Sequence, residues 1–255
     1  MKKCGVQIVF VIIALISWEA VYRCGIFPEL MFPSLLSILK SLVNGFVKDG
    51  LLSMVLYSLS LIVKGLIIGI ILAFLLSGLS IVSKMFGKVY GMLVSVFDLI
   101  PGVALIPLAI LWFGIGEGPI IFIIIHSIIW PMSRSIIDGF MSVPGIYIEC
   151  GLNLGLSKFE LIRDIYIPGA FSSVLSGMKI GWARAWRGLI SAEMIFGTTS
   201  AGAGIGWFIF MKRTNVDIAG VFAALIVIVL IGVIVEYGVF YVIEKNTVKK
   251  WGIRR

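Results

Sequence analysis

The chain has 255 residues, 60% of them hydrophobic and only 13% charged, with a formal charge of +8 and a mean hydropathy of +1.13. A soluble domain of this length exposes too much surface for so few charges, so the bilayer is the expected solvent; at roughly 20 apolar residues per crossing, no room remains for a soluble catalytic domain. The positive charge does not point to nucleic acid, because the basic residues stand mainly at the ends of apolar runs and form no stripe interleaved with aromatics.

The first apolar run, after Lys2 and Lys3, covers about residues 5–23. It has the outline of a secretory signal, yet Trp18-Glu19-Ala20-Val21 makes a poor cleavage site, so an uncleaved first span is expected. Pro28 and Pro33 lead into an amphipathic stretch (Leu35, Leu36, Leu39, Leu42, Val43, Phe46) suited to lying along the outer surface. Runs at 51–80, 88–113, 119–140, 170–195 and 218–243 complete six expected spans in one transmembrane domain, 1–255. They are predicted to be helices, since backbone groups in hydrocarbon have only each other to bond and strand-like alternation is absent. Pro101, Pro107 and Pro131 are expected to kink spans three and four. The outer segment 196–217 holds Gly197, Gly202, Gly204 and Gly206, but no strand precedes it as a nucleotide-binding loop requires.

Basic residues set the orientation. With the N-terminus inside, the inner face holds Lys2, Lys3, Lys84, Lys88, Lys158, Arg163, Lys245, Lys249, Lys250, Arg254 and Arg255. The outer face holds Arg23, Lys40, Lys48, Lys212 and Arg213, and Lys64, Arg134, Lys179, Arg184 and Arg187 lie within spans. Eleven against five places both termini, and the segment 141–168, in the cytoplasm. The cysteines, Cys4, Cys24 and Cys150, lie far apart on different sides, so neither a disulfide nor a metal site is expected.

The segment 141–168 is a charged island between greasy runs. Pro144 and Gly145 close span four, a short helix is predicted from Ile146 to Leu154, and Gly155 supplies the backbone that ends it. Ser157-Lys158-Phe159-Glu160 has the form of a capping box opening a second helix, which Pro168 should stop. Phe159, Ile162 and Tyr166 then share one face. Such a helix fits a groove on another protein; as physics alone it fits equally an ordinary loop resting on its own bundle.

This island resembles the EAA loop of ABC-transporter permeases, whose pattern is Glu-Ala-Ala, three residues, Gly, nine residues, Ile, any residue, Leu-Pro. Glu149, Gly155, Ile165 and Pro168 match at that spacing; Cys150 and Gly151 replace the alanines and Ile167 the leucine. Glycine at 151 loosens the first helix by roughly 1 kcal/mol relative to alanine. The stretch Ile100-Pro101-Gly102 to Gly116, the pair Ala185-Trp186, Ala192-Glu193-Met194 and Gly204-Ile205-Gly206 resemble the nitrate/sulfonate/taurine-type permeases. The resemblance implies an all-α type I importer permease of six spans, with a cytoplasmic coupling helix between spans four and five. It implies two cytoplasmic ATPase subunits that bind ATP and Mg, a second permease copy, and an extracytoplasmic solute-binding protein. Glu149, Cys150, Gly151, Gly155, Ser157, Phe159, Glu160, Ile162, Ile165 and Pro168 are the expected ATPase-coupling residues. The single island per chain favours a homodimer, a heterodimer being the alternative.

Span five carries Arg184 and Arg187 near its middle, where an arginine costs about 2.5–3.5 kcal/mol unless protein or water stands beside it. With His126, Trp186 and Glu193 they are the expected pathway lining; for each arginine the alternative is snorkelling or pairing with Glu193 or a neighbouring helix, and for His126 the leading reading is a neutral ring hydrogen-bonded to a neighbouring helix. Asp98 and Asp138 read as solvated or helix-paired span-end groups. The chain itself is expected to bind no cofactor and to catalyse nothing, since one histidine and no paired carboxylates leave nothing to build a reaction from. The expected role is passage of a small anionic or zwitterionic solute; an ion-gradient-driven transporter is the alternative.

Overall fold

The computed structural model describes residues 2–199 and 202–247, the side chains of 2–4 excepted. Lys2 and Lys3, and the basic tail with Lys249, Lys250, Arg254 and Arg255, carry part of the orientation argument, and Cys4 part of the disulfide expectation, from outside these described side chains. The helices in order are α1 (Lys2–Arg23), α2 (Leu35–Val47), α3 (Leu51–Val82), α4 (Lys84–Phe97), α5 (Ile106–Phe113), α6 (Glu117–Met141), α7 (Gly145–Asn153), α8 (Lys158–Leu161), α9 (Ile167–Phe196), α10 (Ile205–Thr214), α11 (Ile218–Ile234) and α12 (Tyr241–Asn246). A 3₁₀ turn, Gly102–Leu105, precedes α5, and π turns at Ile162–Tyr166 and Val235–Phe240 precede α9 and α12.

Four stretches are long and apolar enough to cross a membrane: Gly5–Arg23, Leu51–Val82, Glu117–Met141 and Ile218–Asn246. α9 has the length, 30 residues, but carries Lys179, Arg184, Arg187 and Glu193. The stretch 88–113, expected as one span, is instead α4 and the Gly102–Phe113 helix bent by 93° to each other. Pro101 explains the break. Its ring removes a backbone donor and disfavours helix at Ile100, so the chain leaves α4 at Asp98 and restarts at Gly102.

α6 is the axis of the bundle, with α9 and α3 packed along it. Ile120, Ile123, Ile124, Ile128, Met132 and Ile136 of α6 are fully buried. Close approach is made possible by small residues spaced four apart. On α9, a side chain added at Gly177 would meet Ser135 at 2.6 Å and Met132 Cα at 3.3 Å, and one at Gly181 would meet Ile128 at 2.5 Å. On α3, Gly65 and Gly69 receive Ile124 and Ile128 in the same way. Helices in lipid associate largely through such close packing, because lipid tails compete with any merely apolar contact. The rim is correspondingly greasy: Phe10, Ile16, Leu75, Val229 and Ile234 all stand more than half exposed.

The segment 196–217 is not simply a loop, since α10 occupies ten of its residues and packs on α9, α11 and α3. Lys212 holds that end together by bonding Asp217 at 2.9 Å and Asp49 at 2.8 Å. Its amphipathic neighbour α2 is capped by Ser34, which accepts from the Ser37 N–H at 3.1 Å.

Candidate functional site: a polar elbow and a membrane cleft

The elbow comprises α7, α8 and the π turn. Ser157 accepts from the Glu160 N–H at 3.3 Å, and the Ser157 N–H donates to the Glu160 carboxylate at 2.8 Å, so the expected capping box is formed. That backbone bond, with the hydroxyl's help, holds the Glu160 carboxyl below its usual range. α7 folds back over the second arm at Gly151. A Cβ there would meet Ile165 Cδ1 at 2.5 Å and Leu161 Cδ2 at 2.7 Å, so the glycine that loosens α7 also lets two arms close against each other. Gly155 makes the bend, with φ of 79° that glycine adopts without strain.

Two expectations about this segment are corrected. The second arm does not stop at Pro168 but runs into α9, because the Ile167 N–H bonds Ile162 in a widened five-residue turn that accommodates the proline ring. The same turn shifts the helical register, so Phe159, Ile162 and Tyr166 do not present one face: Phe159 is exposed, while Tyr166 rests on the Phe140 ring at 5.4 Å. The pair that packs against Gly151 is the buried Leu161 with the half-buried Ile165.

Ile146, Tyr147, Leu154 and Phe159 are left 60–81% exposed on the elbow, close to the exposed Glu149 and Cys150. Lys158 donates to the Val82 carbonyl at 3.4 Å, which fixes the elbow beside the α3–α4 junction. The elbow and that junction therefore lie at one end of the bundle, with Lys84, Lys88, Lys158 and Arg163.

The cleft, of roughly 310 Å³, lies between the broken stretch 97–103, α6 and α9. His126, Ser127 and Trp130 line it from α6, and Arg184, Arg187, Gly188 and Ser191 from α9. Asp98, left at the break, bonds Arg184 and also reaches Arg134 Nε at 3.4 Å. Arg187 donates from Nε to the Ala183 carbonyl at 2.9 Å. His126 is 7% exposed, and neither of its ring nitrogens has a hydrogen-bond partner; the indole N–H of Trp130 is likewise buried and unpaired. The Trp130 ring stacks on Phe97 at 5.0 Å, and the His126 ring lies 6.0 Å from it. Nearer the elbow, Ser135, Asp138, Ser172, Ser173 and Ser176 line a second polar recess of roughly 220 Å³.

Of the five residues expected along a pathway, three come together in this cleft: His126, Arg184 and Arg187. Trp186 is 5% exposed, stacked on Trp182 at 5.7 Å within the apolar core. Glu193 is 1% exposed and works as a clamp. Its carboxylate accepts from the Ser58 hydroxyl at 2.6 Å and from the Gly206 N–H at 2.9 Å, while Ser58 accepts from the Ile205 N–H at 2.9 Å. A side chain at Gly204 would strike that carboxylate, so the glycine spacing around 204–206 has a packing cause. Asp98, expected as a solvated or helix-paired group, is helix-paired here and also lines the cleft; Trp130 is a cleft residue that sequence reasoning did not single out.

Residues 65–248 match the family described as the binding-protein-dependent transport system inner membrane component. A Methanocaldococcus jannaschii protein named as an ABC transporter permease is 27% identical over 250 residues, 96% of this chain and 91% of that protein. The taurine transport system permease protein of Escherichia coli is 30% identical over 146 residues, 57% of this chain and 52% of that one. A nitrate import permease protein of Synechococcus elongatus is 30% identical over 167 residues, 66% and 58% of the respective chains.

Proposed function

Since the chain belongs to the binding-protein-dependent transport system inner membrane component family of ABC transporter permeases, we propose that it forms the path by which a small anionic or zwitterionic solute, of the nitrate, sulfonate or taurine kind, enters the cell. Two copies of the chain pair with two cytoplasmic ATPases, which bind the ATP and Mg, and an extracytoplasmic protein delivers the solute. ATP binding draws the ATPases together; the elbows move with them, and the helices rock between outward and inward openings. Both termini lie in the cytoplasm, on the side of the elbow.

The elbow carries this reading. Placed in the cytoplasm, its exposed Ile146, Tyr147, Leu154 and Phe159 face water rather than lipid, an arrangement a soluble protein partner relieves. Residues of the EAA-like spacing sit on the same element: Glu149 and Cys150 exposed on α7, Gly151 and Ile165 in its hinge. Relatives named for taurine and nitrate support the solute class.

Reconstitution tests it. In proteoliposomes holding this chain with its ATPase and binding protein, uptake of the solute is expected to require internal ATP and all three components. Uptake driven by an ion gradient through this chain alone would contradict the proposal.

A further inference from the structure

We propose that the cleft between the 98–103 break, α6 and α9 binds one small oxoanion, with Arg187, Trp130 and His126 as its donors. The permease itself then discriminates by charge, beyond any selection made by a delivering protein. This deepens the importer reading and rests on it.

Charge compensation singles out Arg187. Lys64 pairs with Glu117 at 3.0 Å, Lys179 with Glu244 at 3.0 Å, and Arg134 and Arg184 with Asp98. Among these in-span cations of the described residues, Arg187 has a backbone carbonyl for its Nε and no carboxylate within ion-pair distance. Asp98 is shared between Arg184 and Arg134, so the arginines around the cleft outnumber their one carboxylate, an excess of positive charge that an anion matches.

Donors without acceptors point the same way. Buried polar groups are almost always bonded, and a neutral imidazole always carries one N–H to give. His126 is more than nine-tenths buried, faces the cleft and bonds nothing; the Trp130 N–H does the same from one turn further along α6. An oxoanion offers the several acceptor oxygens that such a set lacks. Phe97 stacked on Trp130 holds the indole in place, and Gly102 and Gly188 keep the walls open around Ser127, whose hydroxyl is already spent on the Ile123 carbonyl at 2.7 Å. Arg187 stands nine residues before the end of α9, about 14 Å inward at 1.5 Å per residue, so the site lies within the membrane.

The test is equilibrium binding of radiolabelled methanesulfonate to the full chain in lipid nanodiscs, without ATPase or binding protein. Saturable binding near one per chain is expected, displaced by nitrate and not by neutral dimethyl sulfone. Arg187→Gln should weaken it at least about tenfold and Trp130→Phe, which keeps an aromatic ring against Phe97 but removes the N–H, about fivefold. Lys40→Gln, a charge change outside the cleft, should leave it as it was. Absence of saturable binding, equal displacement by the sulfone, or undiminished binding in both cleft variants would overturn the site. ATP-driven uptake in the complete system separates the two ideas: uptake without nanodisc binding removes the site and leaves the importer, whereas no ATP-dependent uptake removes the importer reading itself.

Discussion

Glu149→Lys is expected to bring ATP-driven uptake down to the level of membranes without the permease, while the protein inserts normally. Glu149 is exposed on α7 and sits within the apolar residues that the elbow shows to the cytoplasm, so its reversal changes nothing inside the bundle. What changes is the docking surface. A wrong charge that weakens such an interface by about 2 kcal/mol loosens it roughly 30-fold. Deletion of residues 157–160 acts on the same element from within, because it removes the capping box and slides Leu161 and Ile165 away from Gly151. Uptake and ATP hydrolysis measured side by side give the reading: hydrolysis by the ATPases no longer linked to solute movement. Normal uptake by either variant would dismiss the docking role.

Glu193→Ala is expected to produce the largest loss of stability, about 3 kcal/mol, seen as a lower melting temperature of the detergent-solubilised protein. The clamp joins α3, far away in sequence, to the consecutive helices α9 and α10, through Ser58, Glu193 and Gly206. Alanine leaves the Ser58 hydroxyl and the Gly206 N–H buried with no acceptor, and opens a void beside Gly204. Glu193→Gln should retain most of the stability. Its amide oxygen can accept from Gly206 while its NH₂ donates to Ser58, whose oxygen still has room beside the Ile205 N–H. An unchanged melting temperature in the alanine variant would show that the clamp does not hold this end together.

Four of the expected runs, 5–23, 51–80, 119–140 and 218–243, coincide within a few residues with long apolar helices, because each is bounded by polar or glycine residues that a helix end tolerates. The capping box was equally legible, since Ser157 and Glu160 need only local geometry. Three things were hidden. Pro168 reads as a stop by local rules, but the π turn before it lets the helix continue. The 93° break follows from Pro101, yet a proline inside an apolar run is as readily a mild kink, and only packing against α6 decides. Arg184 finds its carboxylate on Asp98, 86 residues away, a pairing no helical periodicity can reveal. Glu193 and Trp186 share a helix with the cleft arginines but turn into the core, so spacing along α9 alone could not separate lining from packing.

The most direct test of the elbow's role uses Cys150, which is exposed on α7 and unpaired. With Cys4 and Cys24 changed to serine, a membrane-impermeant maleimide should label Cys150 in inside-out vesicles stripped of the ATPase, and not in intact cells. Adding the ATPase back should protect it. Labelling in intact cells, or labelling that the ATPase leaves untouched, would contradict a cytoplasmic docking elbow.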